Sequence, residues 1–329
     1  MDLQARVDLM LKLGKYLQSE TPEWQEAQSR AFYHNPWFVP EFIQLAARSI
    51  ATHFLSEDAL SQWIKHYHLN DSVSPRTVGI VMAGNIPLVG FHDFLSVFIS
   101  GYYQRIKLSS KDEVLWKHLF SLLDSWHPDF SARVQHAPNL KDCDAYIATG
   151  STNTSRYFET YFAKYPHIIR KGKTSVALLI GDETPADLES LAHDVHQYFG
   201  RGCRSVTKLY VPEGYDFIPM LEAFKSYQWF ADHHRYKNNF DYQLALLMLN
   251  GQYYMTNGSI LLVENDALVP PVSMLYYSFY APGKTPVLKP DEQIQCVAGS
   301  GQIPFGQTQL PDLCAYADGV DTMQFLLGL

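Results

Sequence analysis

The sequence has no excess of positive charge. Its 26 Lys and Arg stand against 34 Asp and Glu, a formal charge of −8, which argues against a protein whose affinity rests on neutralising nucleic-acid phosphates. Cysteine is scarce and holds no CxxC pair. Cys143, Cys203, Cys296 and Cys314 stand far apart, which is no disulfide framework and suits a reducing compartment. No apolar run reaches a membrane span, and Met1-Asp2-Leu3-Gln4 has no signal-peptide pattern, so a cytoplasmic protein is expected. No internal repeat, low-complexity tract or GxGxxG nucleotide fingerprint occurs. What remains is an ordinary folded chain, whose 329 residues, 47% hydrophobic, suffice to bury a large core in two lobes.

Residues 1 to about 70 read as helical. Leu3, Val7 and Leu11, then Leu9, Leu13 and Leu17, recur at helical spacing. Asn35-Pro36-Trp37 is a turn, a helix is expected from Val39 or Pro40 to about Phe54, and Ser56-Glu57-Asp58 opens another. His34, His53, His66 and His68 show neither metal spacing nor a carboxylate partner and read as structural. From Val73 the texture changes. Short strand-like runs begin near Thr77, Gln104, Ala132, Asp144 and Ser175, and helical stretches begin near Leu88, Glu113 and Pro185. That alternation predicts an α/β fold with a doubly wound parallel sheet. Ligands of such sheets bind beyond the carboxyl ends of the strands. Here those ends are Gly84-Asn85-Ile86-Pro87, Lys107-Leu108-Ser109-Ser110 and Thr149-Gly150-Ser151-Thr152. Later strands are expected near Thr207, Ser259, Ser273 and Gln293, and helices from Phe217 to Phe230 and from Phe240 to Leu249. Asp232-His233-His234 carries metal-ligating side chains but reads as a solvated loop, and no metal site is expected.

Around Cys203 the chain reads as a helix end, a glycine-rich turn and a strand: Tyr198-Phe199-Gly200-Arg201-Gly202-Cys203-Arg204-Ser205-Val206. Gly200 and Gly202 give the turn its backbone freedom. They leave a thiol at an element boundary, where it is both held and reached. Arg201 and Arg204 flank it, and nearby positive charge favours the nucleophilic thiolate. Most free cysteines are small buried hydrophobes, so the rest of the chain has to decide.

Four marks lie in a fixed order: Gly84-Asn85-Ile86-Pro87, Lys107-Leu108-Ser109-Ser110, Ala148-Thr149-Gly150-Ser151-Thr152 and Gly200-x-Gly202-Cys203. This order resembles the aldehyde dehydrogenase superfamily, where an Asn beside a Pro, a Lys-Pro-Ser segment, a Thr-Gly-Ser turn and a Gly-Gln-x-Cys nucleophile follow one another. Within it the chain is most similar to the acyl-CoA reductase branch, the LuxC-like fatty-acid reductases. The similarity covers about residues 75 to 329 and is strongest at Gly84 to Phe94, Tyr198 to Asp216 and Phe305-Gly306-Gln307-Thr308-Gln309-Leu310-Pro311. The resemblance implies an N-terminal helical segment (1–72), a dinucleotide-binding domain (73–198), a second α/β catalytic domain (199–305) and a C-terminal return (306–329). It implies Cys203 as nucleophile, and Asn85 as the side-chain donor of an oxyanion hole completed by the Cys203 N–H. It gives Lys107 to the adenosine ribose and Gly150 and Ser151 to the pyrophosphate and nicotinamide, and it puts Ser109 and Phe305 among the cofactor-binding residues. Many NAD-dependent members carry a Glu where this chain has Ser110, followed by Lys111. A Glu repels a ribose 2′-phosphate and these residues accept one, so NADPH is expected.

Two departures matter. The family's Glu-Leu-Gly-Gly-Lys, with its general base for hydrolysis, corresponds to Ile169-Arg170-Lys171-Gly172-Lys173, and no carboxylate lies between Pro166 and Gly181. The family's Glu-x-Phe-Gly-Pro corresponds to Ile303-Pro304-Phe305-Gly306, again without its Glu. The implied activity is therefore NADPH-dependent reduction of an acyl-CoA, of fatty-acyl type, to an aldehyde through a Cys203 thioester. A homodimer with a reduced dimerisation arm, or an acyl-activating partner enzyme, is the company expected. Two alternatives stand beside it: a non-catalytic scaffold of the same fold, and a cysteine acyl transferase or thioesterase using His193 or His196 as base.

Overall fold

Four helices lead the chain: α1 (Leu3–Leu17), α2 (Pro22–His34), α3 (Pro40–Ser49) and α4 (Glu57–His66). In α1, Leu9, Leu13 and Leu17 are buried, as their spacing predicts. α2 has a sparser apolar stripe and is announced only by Pro22 in its first turn, where a missing N–H breaks no helical bond. α3 runs on into a π-helical turn at Ile50–Phe54. The computed structural model describes residues 1–71, 75–150 and 152–329. The expected boundary at 72/73 and the expected site residue Ser151 lie outside the described residues.

The alternating part follows: β1 (Thr77–Val81), α5 (Phe91–Ser100), β2 (Tyr103–Lys107), α6 (Glu113–Trp126), α7 (Phe130–Arg133), β3 (Val134–His136), β4 (Ala145–Thr149), α8 (Thr152–Phe162) and β5 (His167–Arg170). The strands form a parallel sheet of order β3-β2-β1-β4-β5. β1 is central and uncharged, with Val78 and Ile80 fully buried, as a strand covered on both faces requires. α5 is apolar almost all round and stops at Gly101, whose φ of +88° is the left-handed cap that glycine adopts without strain. It starts at Phe91, three residues later than the apolar run suggests, because Leu88 is itself left-handed at φ +54°. α8 and β5 escape a pattern reading. β5 is four residues long, and α8 has a polar, tyrosine-rich sequence.

These elements and residues 311–329 form one compact unit, Met1–Gly172 with Pro311–Leu329. Its C-terminal return ends in a helix over Thr322–Leu327 and is tied back by the Trp63 indole N–H donating to Tyr316 Oη (2.9 Å) and the Tyr67 hydroxyl donating to Asp321 (2.6 Å). A second tie is Arg170, only 4% exposed at the end of β5. It donates to Asp93 Oδ1 (2.8 Å), Thr322 Oγ1 (2.6 Å) and Ala317 O (2.5 Å). Removing one partner of a buried pair strands the other charge. Arg170→Met should therefore lower the unfolding free energy in urea by roughly 3–5 kcal/mol. A loss under about 1 kcal/mol would put the pair with exposed bridges.

The other unit, Lys173–Leu310, holds β6 (Thr174–Leu178), α9 (Pro185–His196), β7 (Val206–Pro212), α10 (Ile218–Ala223), α11 (His234–Leu249), β8 (Met255–Thr256), β9 (Leu261–Glu264), β10 (Met274–Tyr280) and β11 (Ile294–Gly299). Its sheet has the order β11-β6-β7-β10-β9-β8 and is parallel except for β8 against β9. β6 and α9, grouped by the sequence reading with residues 73–198, belong here because β6 pairs with β7 and β11. The helix expected from Phe217 to Phe230 is broken: α10 is followed by a 3-10 stretch, Phe224–Asp232, bent at Tyr227. α11 starts at His234, with His233 accepting the Tyr236 N–H as its cap. Among the described residues no group of His, Cys, Asp and Glu is placed to hold a metal, and no helix is long and apolar enough to cross a membrane. The chain is α/β, as its alternation predicts.

Candidate active site

In the first unit the carboxyl ends of β1, β2 and β4 are neighbours, and each carries one of the sequence marks. Just past β1, Met82 N donates to Lys107 O (3.0 Å). A side chain at Gly84 would run into Ser109 Oγ and Cβ, so the turn bearing Asn85 packs directly on the loop after β2. Asp112 locks the two together. It is 2% exposed, and its Oδ2 accepts the Leu88 N–H (2.9 Å) and the Trp116 indole N–H (3.1 Å). Burial pushes this carboxyl well above the usual carboxylate range. From α2, His34 Nε2 meets Ser110 O at 2.6 Å and Asn35 Nδ2 donates to Lys111 O (3.1 Å). The loop backbone is thus held while the Lys107, Ser110 and Lys111 side chains remain exposed and Ser109 half-buried. Gly150 follows β4 and donates to Arg170 O (3.2 Å). Two exposed lysines and a hydroxyl at the strand ends fit an anionic ribose-phosphate group.

In the second unit Cys203 lies in the turn between α9 and β7 and is partly exposed. The chain reaches it through three consecutive left-handed residues, Tyr198 (φ +57°), Phe199 (φ +57°) and Gly200 (φ +68°). Two of them are bulky aromatics, for which this conformation is strained. Their burial offsets the strain: Tyr198 and Phe199 are nearly inaccessible, and Phe199 packs 4.4 Å from Phe230 and 4.6 Å from His233, centroid to centroid. Backbone at sparsely populated angles, over-determined by packing, clusters at active sites.

The turn is braced on both flanks. Ser175 Oγ of β6 donates to Cys203 O (3.0 Å) and also meets Cys296 Sγ at 3.0 Å. Gly202 N donates to Ser205 Oγ (3.1 Å), and Ser205 N to Gly202 O (3.1 Å). Arg204, one of the two arginines beside Cys203 in sequence, hydrogen-bonds the Cys296 thiol, which burial pushes up. Burial holds Arg201 below the usual guanidinium range. Phe305 sits half-buried in the loop after β11, and this loop is fastened to α9. Asp194 accepts from Gly306 N (2.6 Å), Thr308 N (3.1 Å) and Thr308 Oγ1 (2.7 Å), and Gln309 Nε2 donates to Ser205 Oγ (3.2 Å). The structure therefore brings the Phe305 loop and the Cys203 turn together, and separately brings Asn85, Lys107, Ser109, Ser110, Lys111 and Gly150 together. Asp194, Ser205, Thr308 and Gln309 escaped the sequence reading. The one available signal was a charge at Asp194, three residues after Leu191 on the buried face of α9.

The two histidines weighed as bases are both engaged at Nδ1. His193 Nδ1 lies 2.8 Å from Tyr227 Oη. His196 is 1% exposed and stacks on Tyr227 at 4.7 Å. Its Nδ1 donates to Ala192 O (2.8 Å), while Nε2 is buried with no hydrogen-bond partner, on the wall of a cavity of about 50 Å³ shared with Phe199, Gly200, Tyr236 and Met274. Burial pushes this imidazole down to about 4. The unfolded chain, with a histidine near 6.5, takes up the proton first, so stability is intact above that pH and falls as pH drops toward 4. Between pH 7 and pH 5 the loss from this group is about 2 kcal/mol. In urea melts of His196→Leu, the drop between these two pH values should be smaller than in the native protein by about that amount. An equal drop in both proteins would mean that His196 titrates normally.

No protein-family model matches the chain, and no curated protein does. Solved structures do match. An aldehyde dehydrogenase from Bacillus cereus superposes with a TM-score of 0.62 at 12% identity, over 86% of this chain and 68% of its own. The aldehyde dehydrogenase KauB from Pseudomonas aeruginosa gives 0.60 at 13%, over 85% and 68%. An NAD-dependent aldehyde dehydrogenase from Sinorhizobium meliloti gives 0.61 at 12%, over 85% and 66%. At such identities the likeness is one of fold. This chain has the aldehyde-dehydrogenase fold.

Proposed function

We propose that this protein is an NADPH-dependent acyl-CoA reductase of the LuxC-like kind, forming aldehydes from fatty-acyl thioesters. The observation that carries the reading is Cys203, partly exposed on a strained, braced turn of an aldehyde-dehydrogenase fold. In this reading the Cys203 thiolate attacks the thioester carbonyl, and CoA leaves as a thiolate. The Cys203 N–H and the Asn85 amide stabilise the oxyanion, each donor being worth about 3 kcal/mol. Lys107, Ser109, Ser110 and Lys111, with Gly150 and Ser151, hold NADPH, and Phe305 belongs to its loop. When bound, NADPH supplies the hydride that releases the acyl group as aldehyde. A reductase keeps water idle, and nothing between Pro166 and Gly181 is a carboxylate. Arg170, in that stretch, is committed to Asp93 and the C-terminal return. His193, bonded to the Tyr227 hydroxyl, and His196, pushed down to about 4 by burial, weigh against a thioesterase. We place the enzyme in the cytoplasm, working as a homodimer or beside an acyl-activating partner.

The direct test is NADPH oxidation across a panel of acyl-CoAs, with aldehyde trapped and identified. Oxidation that depends on an acyl-CoA supports the proposal, and none at any chain length overturns it. Cofactor choice has its own test. Ser110→Glu should weaken NADPH far more than NADH, because a carboxylate against a phosphate is a like-charge contact. A native preference for NADH, or an unchanged ratio in the variant, would refute the reading of this loop.

A further inference from the structure

We propose that Asp194, Thr308, Gln309 and Ser205 form a positioning relay that sets the geometry of the Cys203 turn from the Phe305 loop. The inference rests on the reading of Cys203 as the nucleophile. Asp194 is 1% exposed, and its known partners in the structure are hydrogen-bond donors of one short stretch, Gly306 N, Thr308 N and Thr308 Oγ1. A carboxylate buried on a helix face is costly unless its lone pairs are met. Here they are met by the loop, so α9 dictates where that loop runs. Bonds to an ionised acceptor are about twice as strong as neutral ones, and Thr308 is wholly buried. The residue that follows is therefore placed with little freedom.

That residue is Gln309, whose amide donates to Ser205 Oγ at 3.2 Å. The same oxygen accepts the Gly202 N–H at 3.1 Å. A hydroxyl taking two donors is fixed between them, and the second donor belongs to the residue just before Cys203. A side chain at Gly202 would stand 3.3 Å from Ser205 Oγ and 3.7 Å from the Gln309 amide, so the turn packs closely on both relay side chains. The relay holds the peptide before Gly202 and Ser175 holds the one after Cys203, and the Gly202–Cys203 peptide between them accepts the Ser205 N–H at Gly202 O (3.1 Å). Orientation is what an oxyanion donor at Cys203 N needs, since a displacement of about 1 Å costs roughly 100-fold in rate. None of the four relay residues is a catalytic residue; each acts through the next, and the relay ends on the backbone that carries the nucleophile.

The test compares Gln309→Ala, Ser205→Ala and Ser205→Thr with the native chain. The first readout is the alkylation rate of Cys203 by iodoacetamide, followed by mass spectrometry with exposed Cys314 as internal standard. The second is the split between kcat and KM. Gln309→Ala and Ser205→Ala should slow Cys203 alkylation about tenfold, the worth of one hydrogen bond at its upper range. Cys314 alkylation should hold, the melting temperature should fall by only the few degrees that one lost buried hydrogen bond costs, kcat should fall with KM for NADPH unchanged, and Ser205→Thr, which keeps the oxygen, should restore both rates. Alkylation of Cys203 within about twofold of native in both alanine variants, or a parallel change at Cys314, overturns the relay. If the native protein reduces no acyl-CoA, the proposed function fails while the alkylation comparison still decides the relay. If reduction proceeds and alkylation is unmoved, the relay alone fails.

Discussion

The Cys203→Ala protein should form no aldehyde from any acyl-CoA and take up no acyl label, yet fold and melt like the native chain. The fold should survive because the turn is held by backbone atoms that alanine keeps. Cys203 O still accepts from Ser175, and Gly202 still exchanges hydrogen bonds with Ser205. Cys203 is partly exposed, and substitutions away from buried features stay within about 0.5 kcal/mol. The chemistry should vanish because the other thiols are poorly suited. Cys143 and Cys296 are buried, and burial pushes both of them up; Cys314 is exposed but pushed up by partial burial beside Asp312 and Asp321. The measurement is label from a radiolabelled acyl-CoA. Equal label on the Cys203→Ala protein would sink the nucleophile assignment. Asn85→Ala is the companion: it should keep the label but acquire it about 100- to 1,000-fold more slowly, the loss of one oxyanion donor.

Much of this architecture is legible in the sequence, because strong local rules govern it. Val78 and Ile80 in a short uncharged run, Gly101 after an apolar helix and Pro22 at a helix start each obey one rule of propensity or geometry. A parallel sheet puts Asn85 and Lys107 both at carboxyl ends of strands, and the pairing of β1 with β2 is what makes those ends neighbours. What stays hidden depends on tertiary contact. β6 resembles the strands before it, and only its pairing with β7 and β11 assigns it to the second unit. Tyr198 and Phe199 at positive φ contradict their own propensities, and such a local violation is visible only after folding. Arg170 and Asp194 look like surface charges in a linear reading. Their burial comes from partners far along the chain, Asp93 and Thr322 for one and the 306–308 loop for the other.

Mixing enzyme with acyl-CoA alone should release about one equivalent of CoA in a burst and then nearly stop, the fingerprint of an acyl-enzyme that accumulates. A thioester on Cys203 is lost to water at a useful rate only if a base draws a proton from that water. Such assistance supplies about 100- to 10,000-fold, so its absence should lengthen the intermediate's life by a comparable factor. The stretch where the resemblance puts the family's base, Ile169-Arg170-Lys171-Gly172-Lys173, is cationic. In space, the carboxylates of Asp93 and Glu159 are paired with Arg170 (2.8 Å) and Lys171 (2.9 Å); the next ones along the chain are Asp182 and Glu183, and Glu183 is spent as the acceptor of Ile180 N (2.6 Å) and Gly181 N (3.3 Å). Of the histidines on α9, His193 holds the Tyr227 hydroxyl, and His196, held near 4 by burial, is too weak a base to compete at neutral pH. Adding NADPH to the stalled mixture should restart turnover and yield aldehyde in step with cofactor oxidised. Steady release of free acid without NADPH, at a rate near that of aldehyde formation, would mean that some group does activate water. The hydrolase reading would then displace the reductase, since a reductase whose acyl-enzyme drains to acid faster than hydride arrives wastes its substrate.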